Sequence, residues 1–471
     1  MPEGTKRQPC AFTPPVGVFA LLASLKPEWK EAAENPSLYV FELQKSVYGL
    51  KDAPLMWFIA INDFLVKYGM KNCKHDQCLY KLCKGDNLVL LLSLHVDDTL
   101  GTGLKEELDR IHAALEVRFG KVKREINAFR HFGTDIYRNL TTKHITVCRR
   151  DYLRQLKPIK IERSRGDGRT QATPATSAEV TLFRSLVSAI AWLGVTYPPA
   201  LAAASLYQSY LPVPNIATIL KLNACLQQFL THYKPLVYRH GMKTKRLVVA
   251  ADSSLGNNAK YSQGGYLVFL AEVSDVFLCG HCSLMSFKSS KSKRVASSTL
   301  HAETLALVGA LEEAVMLQTF LFEIDNPVAT SLEMINASSD KLIPIVGLTD
   351  CHDVLDTLCK ATMPVLSNKS MVLYTAVLRE FKESGRVTAW GWIDTRDNPA
   401  NCLTKIESDG TLDIAPLTAI LQHGAWEPSF PYRWGLTLCD PHKVQFEVIE
   451  PPPPLKIEAK HEKEKHGEFP V

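Results

Sequence analysis

The sequence has few features of a secreted or a membrane-spanning protein. Its 12 cysteines are spread irregularly over 471 residues, so we expect reduced thiols in an intracellular protein, cytoplasmic or nuclear, rather than a disulfide framework. The first 30 residues lack the order of basic, apolar and small residues that marks a signal peptide. The long apolar stretch 185–211 is interrupted by Pro198 and Pro199, whereas a membrane helix needs about 20 consecutive apolar residues. We therefore expect packed helices there and no membrane partner.

A strong excess of one charge is also absent. The formal net charge is +5, which makes the chain mildly basic and permits a nucleic-acid partner without requiring one. Hydrophobic residues make up 46% of the chain and charged residues 22%, so most of it can build packed cores. The length suggests two to four domains of about 100–200 residues each.

Hydrophobic periodicity predicts a first half of mixed structure. Helices are predicted over 53–70 and 105–119, and a continuous apolar run predicts a buried strand over Val89–Val96. A polar linker over 161–179 precedes Leu182–His232, which can hold two or three helices.

From Thr244 onward three strands precede a helix, and strands and helices then alternate, which is typical of a mixed α/β domain. The predicted elements are strands over Arg246–Ala251, Tyr266–Leu270 and Cys279–Phe287, a helix over Ser298–Glu323, a strand over Ile343–Leu348, helices near His352–Lys360 and Met371–Ser384, and a strand over Val387–Ile393. Four consecutive prolines, Pro451–Pro454, and a Lys/Glu-rich end predict disorder in the tail.

Two adjacent acids, Asp97 and Asp98, follow the apolar strand of the first half. Two carboxylates cannot both be buried and ionised without a compensating cation, and Mg²⁺ prefers oxygen ligands. Taken alone, however, the pair favours an ordinary hairpin turn, in which aspartates are common.

The surroundings of these acids resemble copia-type reverse transcriptases. Lys45–Pro54 reads KSVYGLKDAP, Trp57 follows, and the strand ends in His95-Val96-Asp97-Asp98. The resemblance covers roughly 40–235. It implies that Asp97 and Asp98 are metal ligands of the polymerase palm. It also implies contacts with the incoming deoxynucleotide triphosphate and the template strand by four residues, Tyr48, Gly49, Leu50 and Lys51.

A third acid of this family lies on a strand upstream of the Tyr-Gly-Leu-Lys block. The first aspartate of this chain is Asp52, and the earlier glutamates lie in segments that do not match. Two-metal chemistry needs enough carboxylates to hold ions about 4 Å apart. We therefore expect the chain to begin inside the polymerase domain and, alone, to lack polymerase activity.

Three acids of the second half occupy positions from which they can converge. Asp252 and Asp350 each follow a predicted strand, and Glu303 lies in the predicted helix between them. Each acid taken singly is more often a turn residue or a helix cap.

Here the sequence resembles the RNase H domain of the same copia family, over roughly 245–408. The matching blocks are Ala251-Asp252-Ser253, Ser286–Lys291, Ser297–Glu303, Thr349-Asp350-Cys351 and Ile393–Lys405. The resemblance implies a catalytic site in which Asp252, Glu303 and Asp350 bind Mg²⁺ or Mn²⁺. At the position of the family's fourth acid stands Asn401, a weaker Mg²⁺ ligand. Asp397 lies four residues earlier, so register argues against it, and Asp397 or Asp394 become the better candidate only if Asn401 is not the fourth position.

Other motifs have two interpretations each. Cys279 and Cys282 have the spacing of a redox pair but are not at a helix N-terminus, so we expect no redox function, and no second pair completes a zinc site. Two basic groups can contact phosphates or be solvated loops: Lys288, Lys291, Lys293 and Arg294, and Arg149, Arg150 and Arg154.

Together these patterns and resemblances predict a multidomain protein of the α/β and α+β classes. Its expected parts are partial reverse-transcriptase fingers and palm over 1–150, thumb/connection helices over 151–240, an RNase H-like domain over 244–410, and a partly disordered extension over 411–471. The expected partners are an RNA template, a DNA primer, deoxynucleotide triphosphates and RNA–DNA hybrid, with other products of the polyprotein as further candidates. The alternatives are an inactive nucleic-acid-binding remnant and a non-functional pseudogene product.

Overall fold

The computed structural model describes residues 11–15, 17–43, 49–161, 168–255, 262–273, 278–360, 362, 369–435 and 437–439. The chain forms two compact units, 1–114 and 115–471, and each is described by itself. Of the residues proposed above to contact the nucleotide, Tyr48 lies outside the described residues.

The first unit contains a four-stranded antiparallel sheet in the order β3-β4-β5-β6. Leu90, Leu92 and Leu94 are buried at alternate positions of its longest strand, as the period-2 geometry of a strand requires. The elements are β1 Ala11–Phe12, α1 Val18–Leu25, α2 Lys30–Glu34, β2 Phe41–Glu42, α3 Ala53–Lys67, β3 Lys71–Asn72, β4 Leu79–Lys84, β5 Asn87–His95 and β6 Asp98–Gly103, and α4 Lys105–Phe119 follows. The predicted helices near 53 and at 105–119 and the strand at Val89–Val96 are confirmed.

The second unit begins with a four-stranded antiparallel sheet, ordered β10-β9-β8-β7, and a group of helices. Thr176 and Glu179 form a capping box at the start of α6, and Pro198 and Pro199 form the first turn of α7, where proline is tolerated. The elements are β7 Ala128–His131, β8 Thr134–Arg138, β9 Ile145–Cys148, α5 Arg150–Gln155, α6 Ser177–Leu193, α7 Pro198–Tyr207, α8 Ile216–His232 and β10 Leu236–Tyr238.

An eight-stranded mixed sheet follows, in the order β16-β13-β12-β11-β14-β15-β17-β18. β11 pairs antiparallel with β12 and parallel with β14, and β14 pairs parallel with β15. The elements are β11 Arg246–Ser254, β12 Gln263–Ala271, β13 Gly280–Lys291, α9 Thr299–Asp325, α10 Ser331–Ile335, β14 Ile345–Thr349, α11 His352–Cys359, α12 Lys369–Glu383, β15 Val387–Trp392, α13 Ala415–His423, β16 Ala425–Trp426, β17 Tyr432–Trp434 and β18 Thr437–Cys439. The predicted mixed α/β architecture is confirmed.

Helices cover both faces of this sheet. Leu247 and Val249 pack in one core with α9, whereas Val248 and Ala250 pack in another core with α6, α7 and α8. Alternate residues of β11 therefore serve two cores, which explains its continuous apolar sequence. α9 is the one described helix long and apolar enough to cross a membrane by length and composition, and here it packs on the sheet.

The sheet extends beyond the predicted end of the domain at 410. The short strand β16 continues it at one edge, and β17 and β18 continue it at the other. Trp426 and Tyr432 are buried within it. Strands of two or three residues are too short to show a period of two in the sequence, so periodicity could not predict them.

Candidate metal centre

Three acids of the second unit converge at one edge of the eight-stranded sheet. Asp252 lies near the end of β11 and Asp350 directly follows the parallel strand β14, so both emerge at the same edge. Glu303 lies near the start of α9, which packs against β11. One carboxylate oxygen from each lies within 4.8 Å of those of the other two. The predicted convergence of these three residues is confirmed.

The cluster concentrates like charges in a buried place. Asp252 is 2% exposed and Glu303 6% exposed. Burial and, after it, the nearby carboxylates of Asp252 and Asp350 raise the pKa of Glu303 to about 8. Burial also raises the pKa of Asp252 to about 6, although the Lys405 ammonium opposes this shift. A divalent cation would relieve both the burial and the repulsion.

Hydrogen bonds hold the acids in place. The backbone N–H of Ser253 donates to Oε1 of Glu303 over 3.3 Å. The hydroxyl of Thr404 donates to Oδ2 of Asp252, and Nζ of Lys405 lies 3.9 Å from the same oxygen. Sequence reasoning placed Thr404 and Lys405 in a family block but gave them no role. Their contacts with Asp252 come from tertiary structure, which the sequence does not display.

Asn401 belongs to a short 3-10 turn, Asn401–Leu403, beside this cluster. Its side-chain nitrogen donates to the carbonyl of Thr395, and its backbone carbonyl accepts a hydrogen bond from the hydroxyl of Thr404 over 3.2 Å. The residue is 7% exposed, and within the described structure its side-chain oxygen has no hydrogen-bond partner. The amide therefore has an oxygen to offer, and its role as a metal ligand stays a prediction.

The two alternatives for the fourth acid have other partners. Asp397 accepts hydrogen bonds from the backbone N–H groups of Ser429 and Phe430, over 2.9 and 2.8 Å. Asp394 forms a two-pronged ion pair with Arg396, with both distances 2.8 Å, and this pair holds the pKa of Asp394 down, at about 2. Among the described residues neither acid joins the cluster. The structure therefore supports neither alternative to Asn401.

The paired acids of the first unit lie at a hairpin. Asp98 pairs with His95 across β5 and β6, so Val96 and Asp97 form the turn. Val96 has a φ of 55°, and its carbonyl accepts a 2.6 Å hydrogen bond from the indole of Trp57. Both acids are exposed, and of the residues that the structure describes no third acid joins them. Their assignment as polymerase metal ligands stays a prediction.

The proposed nucleotide-contact segment is only partly described. Gly49 has a φ of +94°, which favours glycine. Leu50 and Lys51 lead into α3, whose first residue is Ala53. No structural observation tests whether the three residues contact a nucleotide.

Arg149 is a structural residue, so both interpretations given for it, a phosphate contact and a solvated loop, are wrong. It is 1% exposed, and its guanidinium lies 4.0 Å from the ring centroid of Trp192. It also donates to the hydroxyl of Thr134 over 2.8 Å. Arg154 is exposed and lies 3.5 Å from Asp151.

The two cysteines with redox spacing lie at and inside a strand. Cys282 is buried in β13 opposite Ala271, and Cys279 directly precedes that strand. Burial raises the pKa of Cys279 to about 11 and that of Cys282 to about 12. Since a reactive thiol needs a lowered pKa, this environment disfavours redox chemistry, in agreement with the sequence-based prediction.

A comparison with solved structures finds RNase H domains among the similar chains. The N-terminal RNase H domain of a Mycobacterium tuberculosis protein, solved as a fusion with maltose-binding protein, covers 34% of this chain and 91% of its own chain. Its sequence identity is 15% and its TM-score 0.24.

Comparisons of sequence find similarity to retrotransposon proteins. Residues 25–174 match the family described as reverse transcriptase (RNA-dependent DNA polymerase). The Pol polyprotein of transposon RE1 from Arabidopsis thaliana is 25% identical over 300 residues, which is 61% of this chain and 19% of that protein. The transposon Ty5-1 protein of Saccharomyces cerevisiae is 26% identical over 260 residues, which is 50% of this chain and 80% of that protein. The chain thus spans about a fifth of the Arabidopsis relative, and the comparisons show a similarity to retrotransposon Pol polyproteins, with a reverse-transcriptase match over 25–174.

Proposed function

We propose that the second unit is a metal-dependent ribonuclease that cleaves the RNA strand of RNA–DNA hybrids. It accompanies a reverse-transcriptase region whose ancestral activity is template-directed nucleotide addition. The observation that supports this proposal is the convergence of Asp252, Glu303 and Asp350, from two strands and a helix, with carboxylate oxygens within 4.8 Å of one another.

The residues of the cluster fit a hard divalent cation. They offer oxygen ligands only, which suit Mg²⁺ and Mn²⁺. Two of the three carboxylates are buried, so an ion is the natural compensation for their charge. When bound, such an ion supplies a Lewis acid and an activated water for displacement at phosphorus. Asp252, Glu303 and Asp350 would hold the ion, and Thr404 fixes the orientation of the Asp252 carboxylate.

Cleavage of a labelled hybrid tests this function. The purified chain should cut the RNA strand of a hybrid with Mn²⁺ and, more weakly, with Mg²⁺, and EDTA should stop the reaction. Asp252→Asn should abolish the cleavage, whereas Asp397→Asn, an acid outside the cluster, should leave it within about twofold. Cleavage that persists in Asp252→Asn at the wild-type rate would refute the assignment.

For the reverse-transcriptase region we propose only which residues would bind metal, nucleotide and template. Asp97 and Asp98 would bind metal, and Gly49, Leu50 and Lys51 would contact nucleotide and template. The support is the family match over 25–174 and the position of the two acids at a hairpin end.

A catalytically inactive nucleic-acid-binding protein is the second candidate. The observation that favours it is Asn401, an amide where the family has an acid, with its nitrogen donating to Thr395. This candidate predicts hybrid binding without cleavage in any metal, and the same cleavage assay combined with a binding titration distinguishes the two.

A further inference from the structure

The turn at 401–404 lies in a gap on one face of the eight-stranded sheet. Asp252 lies opposite Gly265 on β12, and Gly265 lies opposite Ser289 on β13. Residues directly opposite each other on neighbouring strands share a face of the sheet, so the missing side chain at Gly265 leaves room between Asp252 and Ser289. A Cβ at position 265 would lie 2.4 Å from Cβ of Leu403. The turn therefore fills the space that the glycine leaves.

Hydroxyl groups fix this turn from both sides. Ser289 donates to the carbonyl of Leu403 over 2.6 Å, and Ser254 donates to the carbonyl of Thr404 over 2.8 Å. The hydroxyl of Thr404 donates in turn to Oδ2 of Asp252. The two serines thus hold the backbone that carries the Thr404 side chain, and that side chain orients a carboxylate of the metal centre.

A buried glutamine sets the direction of the Ser289 hydroxyl. The side-chain nitrogen of Gln263 donates to Oγ of Ser289 over 2.8 Å and to Oγ of Ser205 over 2.9 Å. Because the Ser289 oxygen accepts this bond, its own proton is available for the carbonyl of Leu403. Ser205 belongs to α7, which precedes the eight-stranded sheet in the chain. The network therefore extends from the metal centre to a helix outside the sheet.

Burial separates most of this network from water. Apart from Ser205, each of its side chains is at most 5% exposed, so water is not available to replace a lost hydrogen bond. A buried polar group without its partner costs about 1–3 kcal/mol, which favours a single arrangement of the turn. Removal of a group that orients a metal ligand typically costs about 10–100-fold in metal affinity. Ser289 and Gln263 act through Thr404, one step further away, so their effect should be of the same kind and smaller.

We propose that Gln263 and Ser289 are positioning residues of the metal centre. They hold the turn, and through Thr404 the carboxylate of Asp252, in the orientation that binds a divalent cation. The helix α7 takes part through Ser205, although it contributes no acid to the cluster. The inference rests on the proposed function, because it takes Asp252 as a metal ligand.

Binding of Mn²⁺ to the full chain tests the proposal without any substrate. The EPR signal of free Mn²⁺ gives the bound fraction, and the binding that Asp252→Asn removes is assigned to the centre. Ser289→Ala should raise the Kd of that site about three- to tenfold, and Gln263→Met should raise it about two- to fivefold. Ser289→Thr keeps the hydroxyl and should stay within about twofold of the wild type.

Ser283→Ala is the matched control on the same strand. Ser283 is 4% exposed, and its hydroxyl accepts a 3.0 Å hydrogen bond from the backbone N–H of Arg239. Its loss should destabilise the chain about as much as Ser289→Ala does and leave the Kd for Mn²⁺ unchanged. Hybrid cleavage adds a second readout. At low Mn²⁺, kcat should fall in Ser289→Ala while KM for the hybrid stays within about twofold, and saturating Mn²⁺ should restore most of the rate.

The outcomes separate this inference from the proposed function. If Mn²⁺ binds through Asp252 and the wild type cleaves hybrid, but Ser289→Ala keeps the wild-type Kd, the positioning role is wrong and the proposed function stands. An equal loss of affinity in Ser283→Ala or in Ser289→Thr would also overturn the positioning role. If Ser289→Ala does not fold, the comparison of Gln263→Met with Ser283→Ala decides in the same way. Mn²⁺ binding that does not depend on Asp252 would overturn both.

Discussion

At the scale of single residues, the environment of Asn401 determines what a substitution there can do. Its nitrogen donates to Thr395, and its buried oxygen has no hydrogen-bond partner within the described structure. An amide oxygen is a weaker ligand than a carboxylate. With Asn401 as the proposed fourth ligand, the site would combine three acids with one neutral group, which would favour weak binding of a second ion.

We expect Asn401→Asp to raise hybrid cleavage in Mg²⁺, because it restores the negative charge that holds the ion. The wild type should be feeble in Mg²⁺ and partly recovered by Mn²⁺, which binds somewhat more tightly. In EDTA the variant should be less stable by about 1 kcal/mol, since a carboxylate cannot donate to Thr395. Cleavage rates in both metals and melting in EDTA measure these effects. Unchanged cleavage at every metal concentration would show that Asn401 is not the fourth position.

Arg149 allows a stability test that is independent of catalysis. Its guanidinium donates to Thr134 and to the carbonyls of Trp192 and Phe132, and it stacks on the Trp192 ring. Lysine cannot reproduce this planar set of donors. We expect Arg149→Lys to lower the free energy of unfolding by about 1–3 kcal/mol, measured with urea. Arg150→Lys, at the half-buried neighbour, is the matched control and should cost less than about 0.5 kcal/mol.

At the scale of elements, the start of α6 depends on one ion pair. Glu179 caps the helix with Thr176 and accepts two hydrogen bonds from Arg169, over 2.9 and 2.6 Å. The Arg169 side chain is the main cause that lowers the pKa of Glu179 to about 2. The pair therefore contributes stability above the unfolded pKa of about 4.3, and this contribution is lost as the pH falls toward 2.

We expect Glu179→Gln to lower the stability of the chain at pH 7 by about 1.5–3 kcal/mol, the range for hydrogen bonds to charged groups. The difference from the wild type should shrink between pH 5 and pH 2, as protonation removes the charge that the variant already lacks. Urea unfolding at several pH values measures it. A difference that stays constant down to pH 2 would contradict the role given to Arg169.

The helices and strands also differ in how clearly the sequence marks them. The helix predicted over 105–119 is confirmed with the same limits, because hydrophobic periodicity is a strong signal for a helix of this length. The capping box Thr176–Glu179 is equally visible in the sequence, yet its polar residues favoured assignment to a linker. The short strands β16, β17 and β18 leave no periodicity, so only tertiary pairing defines them.

In the metal centre, too, some features could be predicted from the sequence and others could not. The positions of Asp252, Glu303 and Asp350 follow from motif and topology. The close approach of the 401–404 turn to β12 could not be predicted in this way. It requires a glycine at position 265, because a Cβ on Gly265 would lie 2.4 Å from Cβ of Leu403. Likewise the contact of Thr404 with Asp252 joins residues 152 positions apart, a separation at which local patterns carry no information.

At the scale of the whole molecule, we expect the chain to show one proposed activity, hybrid cleavage, and to lack the other, primer extension. We expect no processive primer extension on a homopolymer template in Mg²⁺ or Mn²⁺, because no third acid joins Asp97 and Asp98 among the described residues and no aspartate precedes Asp52. Hybrid cleavage by the same preparation is the internal control. Robust extension that Asp97→Asn abolishes would show that the chain holds a complete polymerase site.

The response of the chain to pH and metal should follow from the two buried acids of the cluster, Asp252 and Glu303. Without metal, the pKa of Glu303 is raised to about 8 and that of Asp252 to about 6, mainly by burial. The carboxyl pKa in the unfolded chain is about 4. A carboxyl whose pKa is higher in the folded state favours the fold at pH values below about 4, and this stability is lost as the pH rises through the folded-state pKa. A divalent ion requires the deprotonated carboxylates, so its stabilising effect should grow over the same interval.

We therefore expect Mg²⁺ or Mn²⁺ to raise the melting temperature more at pH 8.5 than at pH 6. Glu303→Gln keeps an acceptor for the N–H of Ser253 and removes the titrating charge. In EDTA this variant should lose less stability than the wild type between pH 6 and pH 8.5, and metal should stabilise it less at the higher pH. Melting curves at both pH values, with EDTA and with metal, measure these differences. Equal metal-induced shifts at the two pH values in both proteins would mean that the cluster does not bind the ion through Glu303.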